Sequence, residues 1–124
     1  MNKLEHVNFT VRDPHKTAAW MVDVFGWHIR WQGPAMDGAG YSVHVGTDQS
    51  YVALYAEKET APRPRSYATA GGLNHVAVVV DDFAAVKAKV KTHFEPGPIQ
   101  NYEPGQRFYF FDDNQIEFEV VCYA

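Results

Sequence analysis

The chain has a single cysteine, Cys122, in 124 residues. That count excludes an intrachain disulfide framework and suits a reducing compartment. Cys122 lies in an apolar stretch and reads as a small buried hydrophobe. No stretch approaches the roughly 18 apolar residues that mark a membrane-spanning helix. The first residues, Met1-Asn2-Lys3-Leu4-Glu5-His6, hold no apolar run of signal-peptide length. A basic block is also missing: 11 Lys and Arg stand against 15 Asp and Glu, for a net charge of −4. Nucleic acid and anionic membrane surfaces are therefore poor partners. The expectation is a soluble, cytoplasmic protein whose partner is a small molecule.

Aromatic residues, in contrast, make up 15% of the chain and hydrophobic residues 46%. That composition suits a tightly packed core or an apolar ligand cavity. The size allows one domain, or two small modules sharing a core. The second option is favoured by an internal repeat. Leu4-Glu5-His6-Val7-Asn8-Phe9-Thr10-Val11-Arg12-Asp13 returns as Leu73-Asn74-His75-Val76-Ala77-Val78-Val79-Val80-Asp81-Asp82, 69 positions later, with Leu, His, Val, Val and Asp in register. Each copy opens on a histidine at the same point of an alternating segment. A module of about 60 residues is marginal alone, and pairing two buries their apolar faces.

Period-2 alternation over 4–11 predicts a strand with Val7, Phe9 and Val11 on one face and His6, Asn8 and Thr10 on the other. Asp13-Pro14 reads as an N-cap with proline in the first turn of a helix. Ala18, Met21, Val22 and Phe25 mark its apolar face and Gly26 its end. Strands follow over 27–31, 41–45 and 51–57, with a glycine-rich loop at 33–40. Residues 60–72 carry two prolines and two glycines and read as a linker. The second module repeats the order: a strand over 73–80, a helix displaying Phe83, Val86 and Val90, a short strand near 98–101, and strands over 108–111 and 116–123 around a turn at 112–115. The expectation is one α+β domain over 1–124, with module 1 at 1–59, linker 60–72 and module 2 at 73–124, each module ordered β-α-β-β-β.

The closing strand alternates Ile116, Phe118 and Val120 with Glu117, Glu119 and Val121. A carboxylate set among apolar neighbours in mid-strand costs free energy unless a cation or hydrogen bonds satisfy it. With His6 and His75, the chain holds two imidazoles and a carboxylate on strand faces. Such a set forms facial triads that leave coordination positions open on a six-coordinate metal. Arg107 precedes an apolar strand and can meet either an anionic substrate or a carboxylate. His44 sits in mid-strand. His15, His28 and His93 read as surface residues, and Trp20, Trp27 and Trp31 as packing, with Trp31 also able to wall a cavity.

Four stretches together resemble the vicinal oxygen chelate superfamily, which includes glyoxalase I, extradiol dioxygenases and the fosfomycin- and bleomycin-resistance proteins. They are Leu4-Glu5-His6-Val7, Val24-Phe25-Gly26-Trp27, Leu73-Asn74-His75-Val76-Ala77, and the run from Tyr109 through Asp112-Asp113-Asn114-Gln115 to Glu119. The resemblance implies two tandem βαβββ modules whose curved mixed sheet wraps a metal cleft. It implies a divalent metal ion (Fe, Mn, Zn or Ni) on His6, His75 and Glu119, and a homodimer with sites shared between chains. The substrate would be a small molecule with adjacent oxygens, handled by a dioxygenase-like or lyase-like reaction. The alternative it carries is a metal-free protein that sequesters an antibiotic or aromatic compound. Tyr109 matches a substrate-contacting tyrosine of the fosfomycin-modifying relatives.

The chain departs from the pattern at four places. Asp113 replaces a proline and Gln115 a glycine of the signature, and Ile99 stands where the fosfomycin-modifying relatives have a lysine. Ala53 stands where glyoxalase I carries its fourth ligand, a glutamate. Tyr55 and Glu57, on the same strand face as Ala53, are the groups able to compensate, which makes Tyr55 a second candidate catalytic hydroxyl beside Tyr109.

Overall fold

The computed structural model describes residues 1–36, 38–65 and 67–123. The chain divides into two compact units, Met1–Ala61 and Pro62–Ala124. The break falls inside the proline-rich segment at 60–72.

In the first unit, β1 (His6–Thr10) leads into α1 (Pro14–Phe25). The Asp13 carboxylate accepts the backbone N–H groups of His15 and Lys16 at 3.1 and 3.2 Å. These are two donors a helix start otherwise leaves unpaired. At the other end Gly26 adopts φ +70°, and its N–H returns to the Val22 carbonyl at 3.0 Å. That left-handed turn is cheap only for glycine. β2 (His28–Pro34), β3 (Gly40–Gly46) and β4 (Tyr51–Glu57) follow. The sheet order is β1-β4-β3-β2, with β1 parallel to β4 and the other pairs antiparallel.

Helix α1 packs on β2, β3 and β4, and Met21, Val24, Val43, Val45 and Leu54 form the buried core. Its buried stripe is rotated from the one expected. Thr17, Ala18, Trp20, Met21 and Val24 are buried, whereas Val22 is 37% exposed and Phe25 half-buried. Because α1 does not cover β1, burial fades along that edge strand from Val11 through Phe9 to Val7, which is exposed. β2 runs on through Gly33 and Pro34, so the glycine-rich loop is shorter than the sequence suggested.

The second unit repeats the plan. β5 (Val76–Val79), α2 (Phe83–Lys91), β6 (Gln100–Tyr102), β7 (Gly105–Phe111) and β8 (Glu117–Cys122) give the sheet order β5-β8-β7-β6. Among the described residues, two four-stranded mixed sheets and two helices thus realise the α+β, tandem βαβββ expectation. Phe108, Phe110 and Phe118 are fully buried with Val90 and Val120, and the Phe110 and Phe118 rings stack 5.3 Å apart. Each such side chain contributes roughly 1.5–3 kcal/mol on leaving water. β7 begins three residues earlier than expected, at Gly105. Within the proline-rich segment, Arg63 donates to the carbonyls of Gln115 and Leu73, and the Tyr67 hydroxyl donates to Glu117 at 2.7 Å.

The β7–β8 turn is built by Asp112. Its buried carboxylate accepts the N–H groups of Asn114 and Ile116 at 3.0 and 2.8 Å and the Asn114 amide at 3.0 Å. Gln115 completes the turn at φ +64°. That left-handed conformation favours glycine, the residue the resemblance leads one to expect at this place. The turn sets the register in which Tyr109 faces Glu119.

Candidate functional site

Glu119 lies in mid-β8 between Ala77 of β5 and Tyr109 of β7 and is 6% exposed. Both of its oxygens have a close partner. Arg107 Nη1 donates to Oε2 at 2.9 Å, and His75 Nε2 stands 3.1 Å from Oε1. Of the two partners open to Arg107, the structure selects the carboxylate. The Arg107 guanidinium also lies 5.2 Å from the Tyr102 ring centre, and its Nε is buried without an acceptor among the described residues. The Tyr109 hydroxyl hydrogen-bonds Glu119. Burial first, then that bond, raise the phenol above its ordinary pKa. Tyr109 therefore keeps its proton and acts as a donor.

His75 sits just before β5, with Nδ1 2.7 Å from Asn74 Oδ1. An amide oxygen only accepts, so Nδ1 carries a proton in that pairing and Nε2 is the nitrogen directed at Glu119, as a donor when the ring is protonated and as a lone pair when it is neutral. With the ring neutral, two lone pairs 3.1 Å apart face each other, an arrangement that a proton or a metal ion between them relieves. Ligand atoms about 2.1 Å from one ion and at right angles to it lie about 3.0 Å apart. His75 and Glu119 thus fit a divalent ion as a cis pair.

The first unit carries the same scheme with other side chains. His6 Nδ1 stands 2.8 Å from Glu5 Oε1, which leaves its Nε2 unprotonated in the neutral ring. The Tyr51 hydroxyl donates to the same Glu5 oxygen at 3.3 Å, and Arg30 lies 4.3 Å over the Tyr51 ring. The His6 bond is the main reason the Glu5 carboxyl titrates below its usual range. The Tyr51 ring is 4.8 Å from both His6 and His44, in near-parallel planes, and Trp31 lies 5.1 Å from His44. Burial, then the charges of His6 and Arg30, lower the His44 pKa. Ala53 pairs with Asn8 as Glu119 pairs with Ala77, which makes it the structural counterpart of Glu119. By the same register His44 is the counterpart of Tyr109.

The sequence-derived candidates are therefore distributed unevenly. His75, Glu119 and Tyr109 converge in the second unit. His6 and Tyr55 lie in the first, and the Tyr55 hydroxyl is bound to Glu57 Oε2 at 2.9 Å. Among the described residues no three His, Cys, Asp or Glu side chains gather as a metal site. His15, His28 and His93 are exposed, as expected. Sequence reasoning missed Glu5 and Asn74, which fix the two imidazoles. Their signal was available, since each directly precedes its histidine in the repeat.

The sequence pattern of the Glyoxalase/Bleomycin resistance protein/Dioxygenase superfamily matches residues 3–120. The chain belongs to that superfamily. No curated protein matches it. Among solved structures it is similar to a glyoxylase/bleomycin resistance protein/dioxygenase domain from Frankia sp. EAN1pec, at 18% identity and TM-score 0.81 over 100% of this chain and 99% of that one. It is also similar to the fosfomycin resistance protein FosX from Mesorhizobium loti, at 25% identity and TM-score 0.71 over 100% and 94% of the two chains. FosX from Listeria monocytogenes, solved with Mn(II) and sulfate, matches at 17% identity and TM-score 0.74 over 100% and 94%. No helix in the described residues is long and apolar enough to cross a membrane.

Proposed function

We propose that the chain is a divalent-metal-dependent enzyme acting on a small molecule with adjacent oxygens, in a dioxygenase-like or lyase-like reaction. One observation carries the reading: His75 Nε2 and Glu119 Oε1 face each other at 3.1 Å, with His75 Nδ1 held by Asn74. His6 is the proposed third ligand, on the strength of its place in the repeat and of its Nδ1 bond to Glu5, which prepares Nε2 in the same way. The metal is one of Fe, Mn, Zn or Ni. When bound, it polarises chelating oxygens as a Lewis acid. Around it, Asn74 and Glu5 hold the rings in the ligating tautomer. Tyr109, kept protonated beside Glu119, donates a hydrogen bond to a substrate oxygen. Tyr55 is the proposed second substrate-contacting hydroxyl. A cytoplasmic homodimer with shared sites belongs to the same proposal.

A second reading is favoured by one specific contact. Arg107 already supplies Glu119 with a cation, so a metal-free protein that sequesters an antibiotic or aromatic compound also leaves the carboxylate satisfied. The half-exposed Trp31 beside His44 and Tyr51 offers such a compound a stacking surface. Metal analysis after anaerobic reconstitution separates the two. The enzymatic reading expects stoichiometric metal in the wild type and its loss in His6→Ala, His75→Ala and Glu119→Ala. A wild type holding no more metal than these variants leaves the binding protein in possession.

A further inference from the structure

We propose that Arg107 is a positioning residue that restricts Glu119 to one coordinating oxygen and thereby sets which cation the site prefers. The inference rests on the metal-site reading above.

Glu119 is clamped from two sides. Oε2 takes the Arg107 Nη1–H at 2.9 Å, and Oε1 is the oxygen directed at His75 Nε2, 3.1 Å away. A carboxylate free on both oxygens can chelate through both, which suits large, oxygen-seeking ions with high coordination numbers. A carboxylate pinned at one oxygen gives a single donor, which suits smaller ions content with few ligands. Arg107 acts in two ways. Its hydrogen bond removes Oε2 from the donor set, and its fixed positive charge opposes any cation placed beside Oε1.

The surroundings indicate that the arginine is held in this pose. Its side chain is 18% exposed, it packs on the Tyr102 ring, and its Nε–H is buried without an acceptor among the described residues. A stranded donor is unfavourable. The ion pair with Glu119 offsets that penalty. The counterpart of Arg107 in the first unit is Ser42, paired to Tyr55 as Arg107 is paired to Val121, and there Ala53 replaces the carboxylate. At these matched positions the guanidinium and the carboxylate therefore occur together in one unit and are both replaced in the other.

The test measures Mn²⁺, Zn²⁺ and Ca²⁺ affinities by calorimetry, and the visible spectrum of the Co²⁺ form, for the wild type, Arg107→Gln and Arg107→Lys. Arg107→Gln is expected to bind Mn²⁺ on the order of tenfold more tightly, since a like charge next to the ion is gone. Its Mn²⁺ over Zn²⁺ ratio should rise, and its Co²⁺ bands should weaken as a second carboxylate oxygen enters. Arg107→Lys keeps the charge and one donor, and should restore most of the wild-type ratio. Circular dichroism identifies a misfolded variant; should Arg107→Gln be one, Arg107→Lys and Arg107→His carry the comparison. Unchanged ratios and spectra in folded variants, with metal still bound by the wild type, overturn this inference alone. Absence of metal from the wild type overturns the metal-site reading with it.

Discussion

Replacing Asp112 tests whether the β7–β8 turn rests on one buried carboxylate. In Asp112→Ala the backbone N–H groups of Asn114 and Ile116 and the Asn114 amide lose their acceptor together. Asn114 and Ile116 are 9% and 3% exposed, so water has little access to them. Each stranded donor costs about 1–3 kcal/mol. Desolvation of the carboxylate, which raises the Asp112 pKa, offsets part of the native gain. The net expectation is a loss of about 2–4 kcal/mol in urea unfolding at neutral pH. Asp112→Asn keeps an oxygen for both backbone donors and should lose only about 1 kcal/mol. A pH series adds a sign. With its pKa raised on folding, Asp112 binds more protons in the folded chain than in the unfolded one, so its contribution to stability falls as pH rises from the ordinary carboxylate value through the raised folded value. Asp112→Asn should flatten that slope. An alanine variant within about 0.5 kcal/mol of the wild type, a margin usual for neutral surface changes, would refute the reasoning.

Gln115→Gly should stabilise the second unit by up to about 1 kcal/mol, since φ +64° strains a residue with a side chain while the unfolded glycine chain gives some of the gain back; thermal denaturation reads the shift, and a lower melting temperature contradicts it. Ala53→Glu places a carboxylate at the first unit's equivalent of Glu119, where Ala53 is 1% exposed and Ser42 stands in for the arginine. Without metal it should lower stability by about 2 kcal/mol or more, the penalty of an uncompensated buried charge; urea unfolding with and without Zn²⁺ checks this, and an unchanged midpoint in the absence of metal counts against it.

Much of this architecture was legible in the residues. The repeat around His6 and His75, the Asp13-Pro14 start of α1, Gly26 at its end and the alternation ending in Glu119 all act locally, so they leave marks in short windows. What escaped depends on neighbours distant in the chain. The rotation of the α1 stripe toward Trp20 and Val24 is set by the sheet beneath the helix. Val7 follows the pattern of a core residue and is exposed because α1 does not reach the edge strand. The site divides the same way. That a carboxylate in mid-β8 needs a cation was evident from its apolar flanks. That the cation is Arg107, twelve positions earlier, depends on the β7–β8 register and hence on the Asp112 turn.

The two units show what the repeat does and does not specify. Both orient a histidine through the residue before it, Glu5 for His6 and Asn74 for His75, and in both that residue engages Nδ1 rather than Nε2. Both use the parallel pair between first and last strands to set one position next to the histidine. The occupants then diverge: Glu119 with Tyr109 and Arg107 in one unit, Ala53 with His44 and Ser42 in the other. The carboxylate side is polar, charged and buried, whereas the alanine side is stacked from the rings of His6, Tyr51, His44 and Trp31. Duplicating a βαβββ unit supplies matched strand positions, and the two units differ in the side chains that occupy them. On the proposed metal-site reading, a single anionic ligand leaves a divalent ion with net positive charge, so an anionic or readily deprotonated chelating oxygen is the substrate group that would complete its neutralisation.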